Sequence, residues 1–241
     1  MGELECLSLT VPCRSEPVPF YHYAASRGHI LGIFQGRTYP ILSDIGKVST
    51  IVDIGANVGA ASVMLAAHHP AAVIHAFEPG PDASAILIRN TATFPRVHVH
   101  PFGLGGEDRQ QRLYRSQWDP MSASIRASAE NSDSFDLIEI RNAAQALGAA
   151  GVTSIDILKI DTEGCEVSIL SELFEYVARV KVLYLEYHSE TDRRRIDALL
   201  APTHTLAFAA VPHPHRGDVC YLHRDTDCSR RYEHVAIASD E

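Results

Sequence analysis

Residues 50–68, TIVDIGANVGAASVMLAAH, limit the fold of this chain more than any other stretch. Thr50–Ile54 is a near-continuous apolar run broken only by Asp53, the pattern of a strand covered on both faces. A loop spaced by Gly55, Asn57 and Gly59 follows, and an alanine-rich helical run, Ala60–His68, ends before Pro70. The same rhythm returns down the chain. Strands are expected at Ala72–Phe77, Val97–Pro101, Ile155–Ile160 and Val180–Glu186. Helices are expected at Pro81–Thr93, Glu166–Ala178 and Asp192–Leu200, the first with Pro81 in its opening turn. Thr205–Val211 and Asp218–Arg224 read as a last pair of strands. Near-continuous apolar strands joined through helices predict a parallel α/β sheet with helices on both faces.

The remaining segments are less regular. Residues 1–45 read as a small N-terminal cap or extension and residues 46–241 as the main domain. "VPCRSEPVPFYHY" reads as irregular, "HILGIFQGRTYPIL" as a small hairpin turning at Gly36, and Ser43–Lys47 as a short helix. "GGEDRQQRLY" reads as a turn into a strand, and "MSASIRASAENSDS" as a polar loop. The 241 residues, 46% hydrophobic, suit one larger domain with an extension. The formal charge of -9 comes with no cationic cluster: Arg193, Arg194 and Arg195 stand among acids, as on a solvated helix face. Nucleic acid, which demands clustered cations, is not an expected partner. Five cysteines, an odd number without C-x-x-C, fit reduced thiols rather than a disulfide framework. The acidic start MGELECLSLT is no signal peptide, and no apolar run reaches the roughly 20 residues that span a bilayer. A cytoplasmic protein without a membrane partner is expected.

The ligand of the glycine loop can be narrowed by spacing. In open α/β sheets ligands bind at the carboxyl ends of strands, against helix N-termini. A dinucleotide fingerprint, G-x-G-x-x-G, would put glycine where Asn57 stands. A P-loop needs a lysine after its last glycine, and none follows Gly59 until Lys159. Asp53 would repel a phosphate and attract an ammonium group. Glu78 ends the second strand, where a carboxylate accepts both ribose hydroxyls. An amino acid joined to a ribose without pyrophosphate is the outline of S-adenosyl-L-methionine, whose demethylated product is S-adenosyl-L-homocysteine. Beside this stands the plain reading, a tight turn and a solvent-facing Glu78.

"VDIGANVG", "AFEPGP", "ILIRN", "GLGG", "SAS" and above all "DILKIDTEGCE" resemble the FkbM-type S-adenosylmethionine-dependent methyltransferases, over about residues 50–190. The resemblance implies a Rossmann-like class I methyltransferase fold. Its mostly parallel sheet would have seven strands in order 3-2-1-4-5-7-6, the seventh antiparallel. It implies O-methylation of a hydroxyl on a small molecule, such as a sugar or a specialised metabolite, with N- or carboxyl-methylation as the variant chemistry. It places Asp53, Gly55, Ala56, Asn57 and Gly59 in the methionine-binding loop, Glu78 and Pro79 at the ribose, and Gly103 and Leu104, after Phe102, beside the adenine. Ser122 and Ser124 match a small polar pair before the fourth strand, and Asp161 and Glu163 the acids that end that strand. Asn142 stands where members usually carry an acid.

Methyl transfer to a hydroxyl needs alignment and gains from a base within hydrogen-bond reach. Candidates at the strand ends are Asp161, Glu163, Glu186 and His188, with Asp161 also near the cofactor. Alternation places Glu186 and His188 on one face. His188 is a candidate base because its ordinary pKa lies near neutrality, or else a surface histidine. Glu163 could equally cap the following helix. The same four residues could hold a divalent ion, which the spacing does not demand, so none is predicted. His213, His215, Cys220 and His223 lack a standard zinc spacing and read as a polar loop over the acceptor pocket. Trp118 and Met121 are candidate covers for adenine or acceptor. The competing functions are a nicotinamide-dependent reductase and a non-catalytic cofactor-binding module.

Overall fold

A computed structural model describes residues 3–12, 14–42, 45–115, 134–226 and 238–240. The chain opens with strands β1 (Leu4–Thr10) and β2 (Val18–Tyr23) and helix α1 (Arg27–Phe34). The α/β rhythm then runs β3 (Thr50–Ile54), α2 (Ala60–His68), β4 (Val73–Phe77), α3 (Pro81–Thr91) and β5 (Val97–His100). Three strands, β6 (Gly103–Gly105), β7 (Arg109–Tyr114) and β8 (Phe135–Asn142), lead into α4 (Ala143–Ala149). The second half is β9 (Ile157–Ile160), α5 (Glu166–Glu172), α6 (Phe174–Val177), β10 (Val182–Tyr187), α7 (Glu190–Leu200), β11 (His204–His213) and β12 (Arg216–His223). The last strand, β13 (Ala238–Asp240), pairs with β1, which also pairs with β2.

The central sheet has seven strands in the order β11-β12-β10-β9-β3-β4-β5. Only β12 runs antiparallel to its neighbours, β10 and β11. Numbered within that sheet alone, the order is 3-2-1-4-5-7-6, as the resemblance implies. Strand alternation sorts the side chains into two apolar clusters. Ile51, Ile157 and Tyr184 face α1 and α2, while Val52, Ile54, Leu158 and Leu185 face α4, α5 and α7. Leu7, Leu9, Val18 and Phe20 of the N-terminal strands belong to the first cluster, so the cap closes that face of the sheet. Strand order reverses between β3 and β9, which places a ligand crevice at their carboxyl ends.

Several local expectations are corrected. The expected hairpin over residues 29–42 is not formed; its first part belongs to helix α1, Arg27–Phe34. Ile30, Ile33 and Phe34 are buried at helical spacing, and this period overrode a weak alternation. Gly36 does make the turn, but as a helix stop. With φ +67 it lets its own N–H reach Ile33 O and the Arg37 N–H reach Gly32 O, the Schellman pattern. Ser43 lies outside the described residues, and Ile45–Lys47 form no helix. The "irregular" segment 11–23 contains β2, and β1 and β8 were not foreseen. The helix expected over 166–178 is broken at Leu173 into α5 and α6. Asn142, standing in place of an acid, caps α4 by accepting from Gln145 N at 3.0 Å.

Candidate active site

The loop after β3 is built around protein atoms. A Cβ at Gly55 (φ +77) would stand 1.7 Å from Asp161 O, and one at Gly59 (φ +91) would stand 2.6 Å from Leu87 Cδ1. The two glycines therefore admit the β9 loop and helix α3. Ala56 is buried between them, and Asn57 is left-handed (φ 51). Asp53 is fully buried, and its Oδ2 accepts from Ser62 Oγ at 2.6 Å. The ammonium it meets is that of Lys159, 3.1 Å from Oδ1. Lys159 Nζ also donates to Gly55 O at 2.5 Å and lies 3.8 Å from Asp161 Oδ2. Asp53 and Lys159 thus fix the loop's shape from beneath.

Glu78 closes the loop from the β4 side. Its two carboxylate oxygens accept from Asn57 N at 2.8 Å and Gly80 N at 2.7 Å. Burial pushes its pKa up to about 7 against the pull of those two N–H groups. Each oxygen keeps a lone pair for a further donor, so the carboxylate suits a diol. Pro79 lies close to Gly103: a Cβ there would meet Ile140 Cδ1 at 2.5 Å and Pro79 Cγ at 3.3 Å. Gly103 and Leu104 are both buried in β6. Phe102 beside them is partly open, with the Arg141 guanidinium 3.8 Å over its ring. Ser122, Ser124, Trp118 and Met121 lie outside the described residues.

The four candidate catalytic groups do converge. Asp161, Glu163, Glu186 and His188 offer ligand atoms that all lie within 4.8 Å of one another. Strand ends deliver them: Asp161 follows β9, Glu186 is on β10, His188 follows it, and Glu163 is left-handed (φ 57) in the turn before α5. His188 Nε2 lies 3.1 Å from Glu163 Oε2 and 3.6 Å from Glu186 Oε2, and Nδ1 lies 3.3 Å from Glu166 Oε1. Neither ring nitrogen makes a hydrogen bond of good angle. Burial opposes a charged ring, but Glu163 and Glu166 push its pKa up to about 10. His188 therefore stands as an imidazolium rather than as the free base the sequence suggested. Burial and Asp161 push the Glu186 carboxyl up, so it keeps a proton shared with Asp161. Burial works against the Asp161 charge, and Lys159 and Glu186 overcome it and hold the carboxyl low.

Five partners went unread in the sequence. Tyr39 donates to Asp161 Oδ2 at 3.2 Å. Arg216 donates to Glu186 Oε1 at 2.5 Å and to Glu163 Oε1 at 3.0 Å. Asp218 pairs in register with Glu186, and burial and Asp161 push its pKa up to about 7. Lys159 and Glu166 stood inside the quoted "KIDTEGCE" and carried no stated role. Arg216 and Asp218 come from the histidine-rich C-terminal segment, which forms the tight β11–β12 hairpin rather than an irregular loop, with Arg216 reaching the cluster from its turn. Among the described residues, His213, His215, Cys220 and His223 form no metal-ligand group.

Sheet order, glycine loop and strand-end acids together define a class I methyltransferase fold, the fold of S-adenosylmethionine-dependent enzymes. Fibrillarin from Methanococcus jannaschii shares it with a TM-score of 0.52 at 11% identity, over 89% of this chain and 82% of that one. Residues 53–211 match the Methyltransferase FkbM domain, and the chain belongs to that family. The AMB antimetabolite synthetase AmbE of Pseudomonas aeruginosa is 26% identical over 63% of this chain and 9% of its own length. The 2-O-methyltransferase NoeI of Sinorhizobium fredii is 26% identical over 58% of this chain and 63% of its own. The chain thus spans less than two thirds of each of these relatives. No helix among the described residues is long and apolar enough to cross a membrane.

Proposed function

We propose that this chain methylates a hydroxyl oxygen of a small molecule, a sugar or a specialised metabolite, with S-adenosylmethionine as donor. The observation that carries this reading is the charged cluster of Asp161, Glu163, Glu186 and His188 beside the family's cofactor loop. When bound, S-adenosylmethionine supplies a methyl group on a positively charged sulfur. Glu78 offers two acceptor oxygens to the ribose hydroxyls. The loop over Gly55–Gly59, braced by Asp53 and Lys159, carries the amino-acid end at the start of α2. Phe102, Gly103 and Leu104 border the adenine.

The acceptor faces the strand-end cluster. Its oxygen gains the methyl as the sulfur–carbon bond breaks, and its hydroxyl proton passes to a carboxylate oxygen of the cluster. A carboxylate held as low as Asp161 is a weak base, so alignment and exclusion of water carry most of the acceleration. The 2-O-methyltransferase name of NoeI agrees with oxygen as the accepting atom.

Calorimetry with S-adenosylmethionine, S-adenosylhomocysteine and NADH tests the cofactor. A panel of sugars and polyketide-like alcohols, followed for a mass gain of one methylene, tests the acceptor. Binding of the first two alone, with turnover of an alcohol, is expected. NADH binding instead would support a reductase, and cofactor binding without turnover of any panel member a non-catalytic module. Methylated amines or acids in place of alcohols would move the accepting atom.

A further inference from the structure

We propose that Asp161, Glu163, Glu186 and His188 form a binding site for a divalent cation of the Mg2+ or Mn2+ kind. Their donor atoms fall within 4.8 Å of one another. Opposite ligands of an ion with bonds of about 2.1–2.5 Å stand about 4.2–5 Å apart, so the set is already compact enough to share one. Three carboxylates and one imidazole suit a hard to borderline ion.

Proximity of acids alone would not make a site. The second observation is His188. Its side chain is 9% exposed, and Nε2 stands 3.1 Å from Glu163 Oε2 and 3.6 Å from Glu186 Oε2 in a geometry that makes no hydrogen bond, so an ion there would take the place of the imidazolium proton between the same oxygens. The third is the outer layer. Each carboxylate of the set has one oxygen engaged. Tyr39 and Lys159 approach Asp161 through Oδ2, and the proton it shares with Glu186 is one that an ion would displace. Arg216 takes Oε1 of both Glu163 and Glu186, and the Oε2 atoms of both turn toward His188 Nε2. Glu166 faces His188 Nδ1 and is itself fixed by Thr162 N, Thr162 Oγ1 and Gly164 N, at 3.0–3.1 Å. A carboxylate behind a ligating histidine orients the ring toward a metal. Binding of the cation would release the His188 proton and the proton that Glu186 keeps, so uptake of the ion should strengthen as pH rises. On the methyl-transfer reading, the ion would polarise the acceptor hydroxyl. The site itself does not depend on that reading.

The test is a Mn2+ titration of the whole chain, followed by loss of the free-ion paramagnetic resonance signal and by calorimetry, with Mg2+ and Ca2+ as competitors. One saturable ion per chain is expected. Glu186→Gln and His188→Ala should each weaken it more than tenfold. Glu166→Gln, a positioning change that touches no ion, should weaken it about 10–100-fold. Asp225→Asn, exposed and distant, should leave it unchanged. S-adenosylhomocysteine binding is measured on every variant as the check of folding. Absence of saturable Mn2+ binding to the natural chain overturns the site. So does undiminished binding in Glu186→Gln or His188→Ala. Failure of Mn2+ with homocysteine-nucleoside binding intact sinks the cation site alone. Mn2+ binding without S-adenosylhomocysteine binding sinks the methyltransferase reading and leaves the cation site standing.

Discussion

Lys159 is 3% exposed and its ammonium sits against Asp53, which is not exposed at all. Removing one member of such a pair strands the other charge in the interior, at a cost of about 3–5 kcal/mol. Lys159→Met should lower stability by that amount in urea unfolding. The double change Asp53→Asn with Lys159→Met should recover much of it. A single-variant loss below about 1 kcal/mol would show that water reaches Asp53. The sequence displayed both residues within recognisable motifs. It could not show that they face each other, because the pairing comes from the β3–β9 register, Asp53 against Lys159. Arg216 and Tyr39 were hidden for the same reason: each reaches the site from a segment whose position depends on tertiary packing. Glu78 gives a prediction of opposite character. Its folded pKa, about 7, lies above its ordinary value of 4.5 because burial disfavours the charge. The group therefore lowers stability as pH rises from about 4.5 to about 7, by at most about 3 kcal/mol. If the ribose needs the charged carboxylate, affinity for S-adenosylhomocysteine should be nearly full by about pH 8 and about tenfold lower at about pH 6. Calorimetry across that range, on natural chain and Glu78→Gln, checks both the slope and its owner. A flat profile in the natural chain would take the ribose away from Glu78.

At the scale of elements, strands and helices of the α/β core were legible from residue 50 because they are long, apolar and rhythmically punctuated. The N-terminal strands and β8 were not, since strands of small sheets with one face toward solvent carry mixed patterns: β8 alternates exposed and buried positions, with Leu137 63% exposed. Helix α1 was misread because eight residues give only two turns of period, and β-branched Ile30 and Ile33 favour either reading. The glycine loop was legible as a loop, while the reason for its glycines lay in neighbours distant in sequence. Those neighbours rank two substitutions. Gly59→Ala forces a left-handed alanine, worth about 1–2 kcal/mol, against the end of a buried Leu87 side chain that can shift. Gly55→Ala drives its methyl into the Asp161 carbonyl, a backbone atom. It should destabilise more than Gly59→Ala in thermal unfolding, and it should also displace Asp161. Equal losses would mean that the β9 loop is free to move away.

For the whole molecule, the site is a seam. Its glycine loop and Glu78 come from the first half of the sheet, and Asp161, Glu163, Glu186 and His188 come from the second. The halves join through β3 and β9, and the Lys159 ammonium crosses that joint to Gly55 O and Asp53. A ligand lying over the seam touches both halves, so its binding energy should stabilise the chain as one unit. At a hundredfold excess over its dissociation constant, S-adenosylhomocysteine should add about 2.7 kcal/mol. In a domain of this size that raises the Tm by roughly 5–10 °C. The transition should remain single, and tryptophan-independent probes such as far-UV dichroism and calorimetry should shift together. Two transitions, with only one moved by ligand, would show that the halves melt separately and that the loop and the strand-end acids do not share a ligand. A single shifted transition that Lys159→Met leaves single but moves less would place the coupling in the ammonium that bridges β3 and β9.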